Sequence, residues 1–225
     1  MAFNIIQGQL PPIISQLITN PLVGISFIAG LIIGITVHEF SHAFVAYRLG
    51  DPTAKLQGRL TLNPQSHLDP VGTLMLLVLG FGWGKPTPFD PFNLRNIKRD
   101  SALISAAGAV SNFLLALLIS LPYVIAFYTG TLSPAIRTIY MYLAPFIWIN
   151  LILAVFNLIP VSPLDGFKVL AGLLPRKWYE EFIQMEQYGI FILIILLVTN
   201  VIGKVLLPIT STLSQFLLPG LSLNF

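Results

Sequence analysis

The sequence predicts an all-α polytopic membrane protein with a small strand or re-entrant insertion behind its first spanning helix. Three observations carry that prediction. Of 225 residues, 55% are apolar and 9% are charged, where a soluble domain uses charge at about a quarter of its positions. The mean hydropathy is +0.82. The charges are also missing in blocks: no Asp, Glu, Lys or Arg occurs over 1–38, 101–136, 138–164, 187–203 or 205–225. So few charged side chains cannot coat a water-facing surface, and the lipid bilayer is the expected solvent and contact. The formal charge of +3 is small and dispersed, which argues against a nucleic-acid partner. The absence of cysteine excludes disulfides, iron–sulfur clusters and thiolate zinc sites, so any metal is held by nitrogen and oxygen. No basic region precedes the first apolar stretch, and a cleaved secretory signal is not expected.

A spanning helix needs about 20 mostly apolar residues. Residues 22–47, 102–128, 139–160 and 188–205 meet or approach that length. Residues 71–83 are apolar but too few to cross alone, and they include Gly72, Gly80 and Gly82, so this stretch reads as re-entrant or interfacial. The proline-broken segments 5–18 and 205–218 suit short membrane-lying helices. Between the first two spans, 55–63 alternates polar and apolar with period two, the pattern of a half-buried strand, and Asn63-Pro64 closes it. A second extended piece is expected at 85–89, where Pro86 and Pro88 favour an edge. Pro122 and Pro145 fall inside spans, where neighbouring helices accommodate kinks. The chain 1–225 reads as one membrane-embedded domain, with its strand and re-entrant region over 55–90.

Loop charge sets an orientation. With 71–83 not crossing, loops 48–100 and 161–187 share a face that holds every Lys and Arg except Arg137 and Lys204. By the positive-inside rule that face is cytoplasmic. The expectation is a multi-pass protein of the plasma (inner) membrane, with its basic loops towards the cytoplasm.

The first span contains His38-Glu39-Phe40-Ser41-His42. Two histidines four apart project from one helix face and can grip one divalent ion, while Glu39 stands beside the first of them as a candidate base. Ionisable groups inside a span cost a few kcal/mol each, and a buried metal site offsets that cost. A third ligand must come from elsewhere, and Asp51, His67, Asp69, Asp90, Asp100, Asp165 and the later glutamates are candidates. Depth favours one of them. His38 and His42 lie about 9–15 Å from the end of their helix, and Asp165 follows the third span, which runs in the same direction. Gly166 allows a close turn that keeps Asp165 at that depth. Asp51 and Asp69 sit beside turns and suit turn closure, and His67 suits a structural hydrogen bond.

His38-Glu39-x-x-His42, Asn157-x-x-Pro160 and Leu164-Asp165-Gly166 together resemble the site-2 protease family of intramembrane zinc metalloproteases, in particular its small prokaryotic-type members without a PDZ domain. The similarity covers residues 31–177. It includes Arg48-Leu49-Gly50-Asp51-Pro52, Gly58-Arg59-Leu60-Thr61-Leu62-Asn63-Pro64, His67-Leu68-Asp69-Pro70 and Gly82-Trp83-Gly84-Lys85-Pro86. The resemblance implies a three-helix core plus at least one further span, one Zn2+ per chain on His38, His42 and Asp165, and Glu39 as general base. It also implies that Asn112 and Asn157 position the substrate or stabilise the oxyanion. Where the family commonly reads Ala-Gly-Pro-x-x-Asn, this chain reads Ala107-Gly108-Ala109-Val110-Ser111-Asn112, which should leave that helix straighter.

The implied function is hydrolysis of peptide bonds in transmembrane protein substrates. A zinc ion lowers the pKa of a water towards about 7 and Glu39 accepts its proton. The strand 55–63, with Leu60 and Leu62, offers an edge on which an unwound substrate docks by strand addition. The alternative is an ion- or proton-conducting transporter that uses His38, Glu39 and Asp165. That reading gives no reason for histidines spaced four apart.

Overall fold

A computed structural model describes residues 12–79 and 82–221. Among them the regular structure is helical. A short helix α1 (Pro12–Thr19) leads into α2 (Pro21–Arg48), and residues 5–11 of segment 5–18 lie outside the described residues. After an insertion come two more long helices, α5 (Ile97–Tyr128) and α6 (Pro134–Asn157). Each long helix has local reasons for its start. Pro21 and Pro134 occupy first-turn positions where a missing N–H costs nothing. The side chains of Asn96 and Ser133 accept the free amides of Arg99 and Ile136.

Helices α2, α5 and α6 pack on one another as a three-helix core. Close approach is possible because small residues stand at the crossings. A Cβ added at Gly30 would come within 2.7 Å of the Phe146 backbone, and one at Gly34 within 2.7 Å of Asn150 Oδ1. Pro122 and Pro145 lie inside their helices as expected. The outward faces carry large apolar side chains such as Ile33, Leu118, Ile125 and Ile139, as a lipid-facing surface requires.

Among the described residues, four helical stretches are long and apolar enough to cross a membrane: Pro21–Arg48, Ile97–Tyr128, Pro134–Asn157 and Arg176–Val198. The last corrects the expected fourth span. The helical path does not run through 188–205, because it stops at Thr199 and Asn200, whose φ of 55° is left-handed. That path combines α8 (Arg176–Gln184), a 3-10 turn and α9 (Gly189–Val198). The next helix, α10 (Val201–Leu217), does not lie apart from the bundle. It buries Ile202, Leu206, Thr210, Ser214 and Leu217, a four-residue rhythm, and packs along α6. At one end Ile202 and Leu206 join Leu164, Leu193 and Phe156; at the other Leu217 joins Tyr123, Tyr140 and Ala144.

The insertion is a second correction. Residues 55–63 do not form a strand. A helical turn α3 (Thr53–Leu56) leads to Gly58 at φ 69°, and a 3-10 turn follows at Pro64–Ser66. The alternation predicted a buried apolar face, yet Leu56 is 81% exposed and Leu62 58% exposed. Period-two reasoning assumes water on one side; beside a bilayer, apolar side chains are covered without a sheet. The basis for substrate docking on Leu60 and Leu62 therefore falls away. The β-type pairing present among the described residues is one isolated bridge, Leu68 with Gly84. Segment 85–89 has no regular secondary structure and pairs with no strand among the described residues. Helix α4 (Pro70–Leu79) has ten residues, too few at about 1.5 Å each to cross a core of about 30 Å. Its Gly72 lies against Trp83, so the chain returns beside the helix's first turn.

Candidate metal centre

Helix α2 places His38 and His42 on the face turned towards α5, where both are buried. The room they occupy exists because residue 108 has no side chain. A Cβ there would lie 2.6 Å from Nε2 of each imidazole. The third predicted ligand arrives by a fold-back. After α6 ends at Asn157, turns through Ile159 and Val161 bring the chain to Leu164, and Asp165 opens helix α7 (Asp165–Leu173). Gly166 packs directly on the carbonyls of Leu158 and Ile159, an approach that any side chain would block. Asp165 Oδ2 consequently sits 3.0 Å from His38 Nε2 and 3.2 Å from His42 Nε2. Each residue offers one ligand atom, and the three atoms lie within 4.8 Å of one another.

The outer nitrogens decide what this triangle can hold. His42 Nδ1 is 2.7 Å from the Ile104 carbonyl, and His38 Nδ1 is 2.7 Å from Asn112 Oδ1. Both partners accept, so both Nδ1 atoms donate and each Nε2 of the neutral rings carries a lone pair. With both rings neutral, two lone pairs and a carboxylate oxygen face one point, and Asp165 Oδ2 is a buried atom with no hydrogen-bond partner. Such a donor set repels itself until a cation joins it. Two imidazoles and one carboxylate suit zinc and leave a fourth position open.

Glu39 faces the same cleft, a cavity of about 180 Å³ whose walls include His38, His42, Thr87, Phe89, Asn157 and Lys168. Segment 85–89 crosses beside it. The Thr87 amide donates to Glu39 Oε2 at 2.7 Å, and the Thr87 hydroxyl donates to the Glu39 carbonyl at 3.1 Å. Arg59 Nη2 donates to the Lys85 carbonyl, so the segment is pinned at both its start and its middle. The Lys168 ammonium lies 4.6 Å from the centre of the Phe89 ring across the cleft mouth.

The two asparagines take different places. Asn157 lines the cleft, with one amide hydrogen donated to Leu153 of its own helix at 2.9 Å. Asn112 is fully buried behind His38; its amide donates to the Gly34 carbonyl and to Asn150 Oδ1, each at 3.0 Å. Asn150, which the sequence reading passed over, is fully buried in mid-span. The signal was available, because an amide within an otherwise apolar helix must find partners. His67 hydrogen-bonds the Thr61 carbonyl at 2.7 Å, and Asp69 accepts the Gly72 amide at 2.7 Å, so both close turns. Asp51 accepts from Thr53, Asn93 and the Asp90 amide. Burial alone would raise its carboxyl, but these bonds outweigh it and hold Asp51 below the usual carboxylate range.

Residues 26–198 match the model of Peptidase family M50. The chain belongs to that family. "Putative zinc metalloprotease YwhC" of Bacillus subtilis (strain 168) is 41% identical over 180 residues, covering 79% of this chain and 82% of that protein. "Putative zinc metalloprotease Rip2" of Mycolicibacterium smegmatis is 31% identical over 79% of this chain and 68% of its own length. The Rip2 of Mycobacterium tuberculosis (strain ATCC 25618 / H37Rv) is 29% identical over 75% of this chain and 65% of its own length. No solved structure matches. This M50 member is accordingly a metalloprotease and a multi-pass membrane protein. The matched region contains His38, Glu39, His42 and Asp165.

Proposed function

We propose that the protein hydrolyses peptide bonds of membrane-embedded protein substrates, with one zinc ion per chain held by His38, His42 and Asp165. The observation that carries this reading is the meeting of His38 Nε2, His42 Nε2 and Asp165 Oδ2 within 4.8 Å, in a cleft that also contains Glu39. Zinc bound there supplies Lewis-acid polarisation of a water and of the scissile carbonyl. The chain's own groups do the rest. Glu39, its carboxylate held by the Thr87 amide, takes the proton of the attacking water as the water oxygen adds to the carbonyl carbon. It returns that proton to the departing nitrogen as the C–N bond breaks. Asn157, with a second amide hydrogen available, stabilises the developing oxyanion. Asn112 serves the site from behind by holding His38.

The basic loops and the cleft face the cytoplasm in this reading, in the plasma (inner) membrane. Water then has a short path to the site. A transmembrane substrate must unwind before its carbonyl reaches Glu39, and its freed backbone groups need partners within the cleft.

The test is cleavage of a model transmembrane substrate reconstituted with the purified protein. Wild type should cleave it, and Glu39→Gln should retain zinc while losing about 10²–10⁴-fold in rate. Undiminished cleavage by Glu39→Gln would overturn the assignment of the base.

A further inference from the structure

The two imidazoles are held by unequal means. His42 donates to a backbone carbonyl, that of Ile104, which cannot exchange its acceptor for a donor. His38 donates to a side-chain amide, and a rotated Asn112 would present its NH2 group instead. His38 would then be forced to accept at Nδ1 and to carry its hydrogen on Nε2, the nitrogen that faces Asp165. Something must therefore hold the amide of Asn112 in one sense.

Asn150 supplies half of that hold. Its Nδ2 donates to the Gly30 carbonyl at 3.1 Å and the Phe146 carbonyl at 2.8 Å. Both are backbone acceptors, so the orientation of Asn150 is fixed and its Oδ1 must accept. Asn112 Nδ2 donates to that oxygen and to the Gly34 carbonyl, which uses both of its hydrogens. Only Oδ1 of Asn112 remains for His38. The relay ties α2, α5 and α6 together through atoms that are all buried, where an unpaired donor costs most.

We propose that Asn150 is a positioning residue of the metal site: the far end of an amide relay, Asn150 to Asn112 to His38, that fixes which imidazole nitrogen faces the metal. This rests on His38 being a metal ligand, as in the function proposed above. Asn150 touches neither substrate nor metal, and it acts through Asn112.

Cobalt(II), titrated into metal-free protein in detergent, reports affinity and ligand geometry through its visible absorption without any cleavage assay. Asn150→Leu removes the acceptor for Asn112 and should weaken cobalt binding about tenfold or more, the range for losing a group that orients a ligand imidazole. Its absorption bands should shift as well. Asn150→Asp in its neutral form keeps one donor and one acceptor, and should restore wild-type affinity and bands. Wild-type binding by Asn150→Leu would overturn the proposal. Equal loss in both variants would also overturn it, because packing rather than the relay would then be at stake. A wild type that binds no cobalt would instead bring down the metal-site reading, and this inference with it. Should Asn150→Leu fail to fold, 15N-histidine NMR of the metal-free wild type, with its imidazoles neutral at alkaline pH, decides. The relay requires a nitrogen-bound proton on His38 Nδ1, and a bare Nδ1 would contradict it.

Discussion

The metal end of the three-helix core and the insertion between α2 and α5 hold themselves together in different ways. In the core, polar side chains lie inside apolar helices and bond across them, to one another and to backbone carbonyls of the facing helix: His38 to Asn112, Asn112 to Asn150, His42 to the Ile104 carbonyl. In the insertion, polar side chains mostly bond backbone amides and carbonyls of nearby turns, as Asp51, Asp69 and His67 do. The first arrangement fixes atoms to within a hydrogen bond at one chemical point. The second fixes the path of a chain with short helices and, among its described residues, no sheet. A substitution in the core should therefore destroy chemistry, and a similar one in the insertion should cost only local order.

Glycines give the sharpest contrast. Gly108→Ala removes no ligand, yet its methyl would stand 2.6 Å from both Nε2 atoms. Zinc content should fall to background although His38, His42 and Asp165 all remain. Gly58→Ala meets no atom within 4 Å and is disfavoured only by its φ of 69°, a cost of about 1–2 kcal/mol. It should keep full zinc and lose a few degrees of thermal stability. Similar zinc loss in both would erase the distinction.

Thr87 belongs to the insertion's chain but serves the core, so it tests where the boundary lies. Thr87→Pro removes the amide that holds Glu39 Oε2. Cleavage should drop about hundredfold, as for other misplacements of a reacting group, while zinc stays bound. Thr87→Ala keeps the amide and should be far milder.

Within the insertion itself, Asp51→Ala leaves the Asp90 amide and the Asn93 side chain without their acceptor. The expected effect is about 1–3 kcal/mol of local stability, seen as faster trypsin cleavage at Lys55 and Arg59 with zinc unchanged. Acid should do the same more gently. Asp51's carboxyl is held below its ordinary range in the folded protein, so its contribution is complete above about pH 4, the unfolded value. It is lost as pH falls through the lower folded value. Asp51→Asn should flatten that dependence, as read by protection of residues 49–96 from hydrogen exchange.

The same contrast explains what the sequence made legible. Spans one to three could be read because long charge-free runs are rare for any other reason, and His38, Glu39 and His42 stood out against such a run. Asp165 was found from depth and its place after a span, and its convergence on the histidines needs the fold-back at Gly166. Asn150 was missed because a single amide in a helix carries no spacing pattern; its meaning appears only when α5 brings Asn112 opposite it. The strand at 55–63 was misread because alternation reports a two-sided environment and does not specify a sheet. The break at Asn200 went unseen because apolar residues flank it on both sides, and a left-handed asparagine leaves no mark in hydropathy.

The most direct test of the central claim is zinc per chain, measured in detergent-purified wild type, His42→Ala and Asp165→Ala. The account predicts close to one zinc in the wild type and near-complete loss in both variants, each still folded by circular dichroism. Zinc retained in Asp165→Ala would contradict the three-ligand centre. A folded wild type without zinc would contradict the metal site altogether.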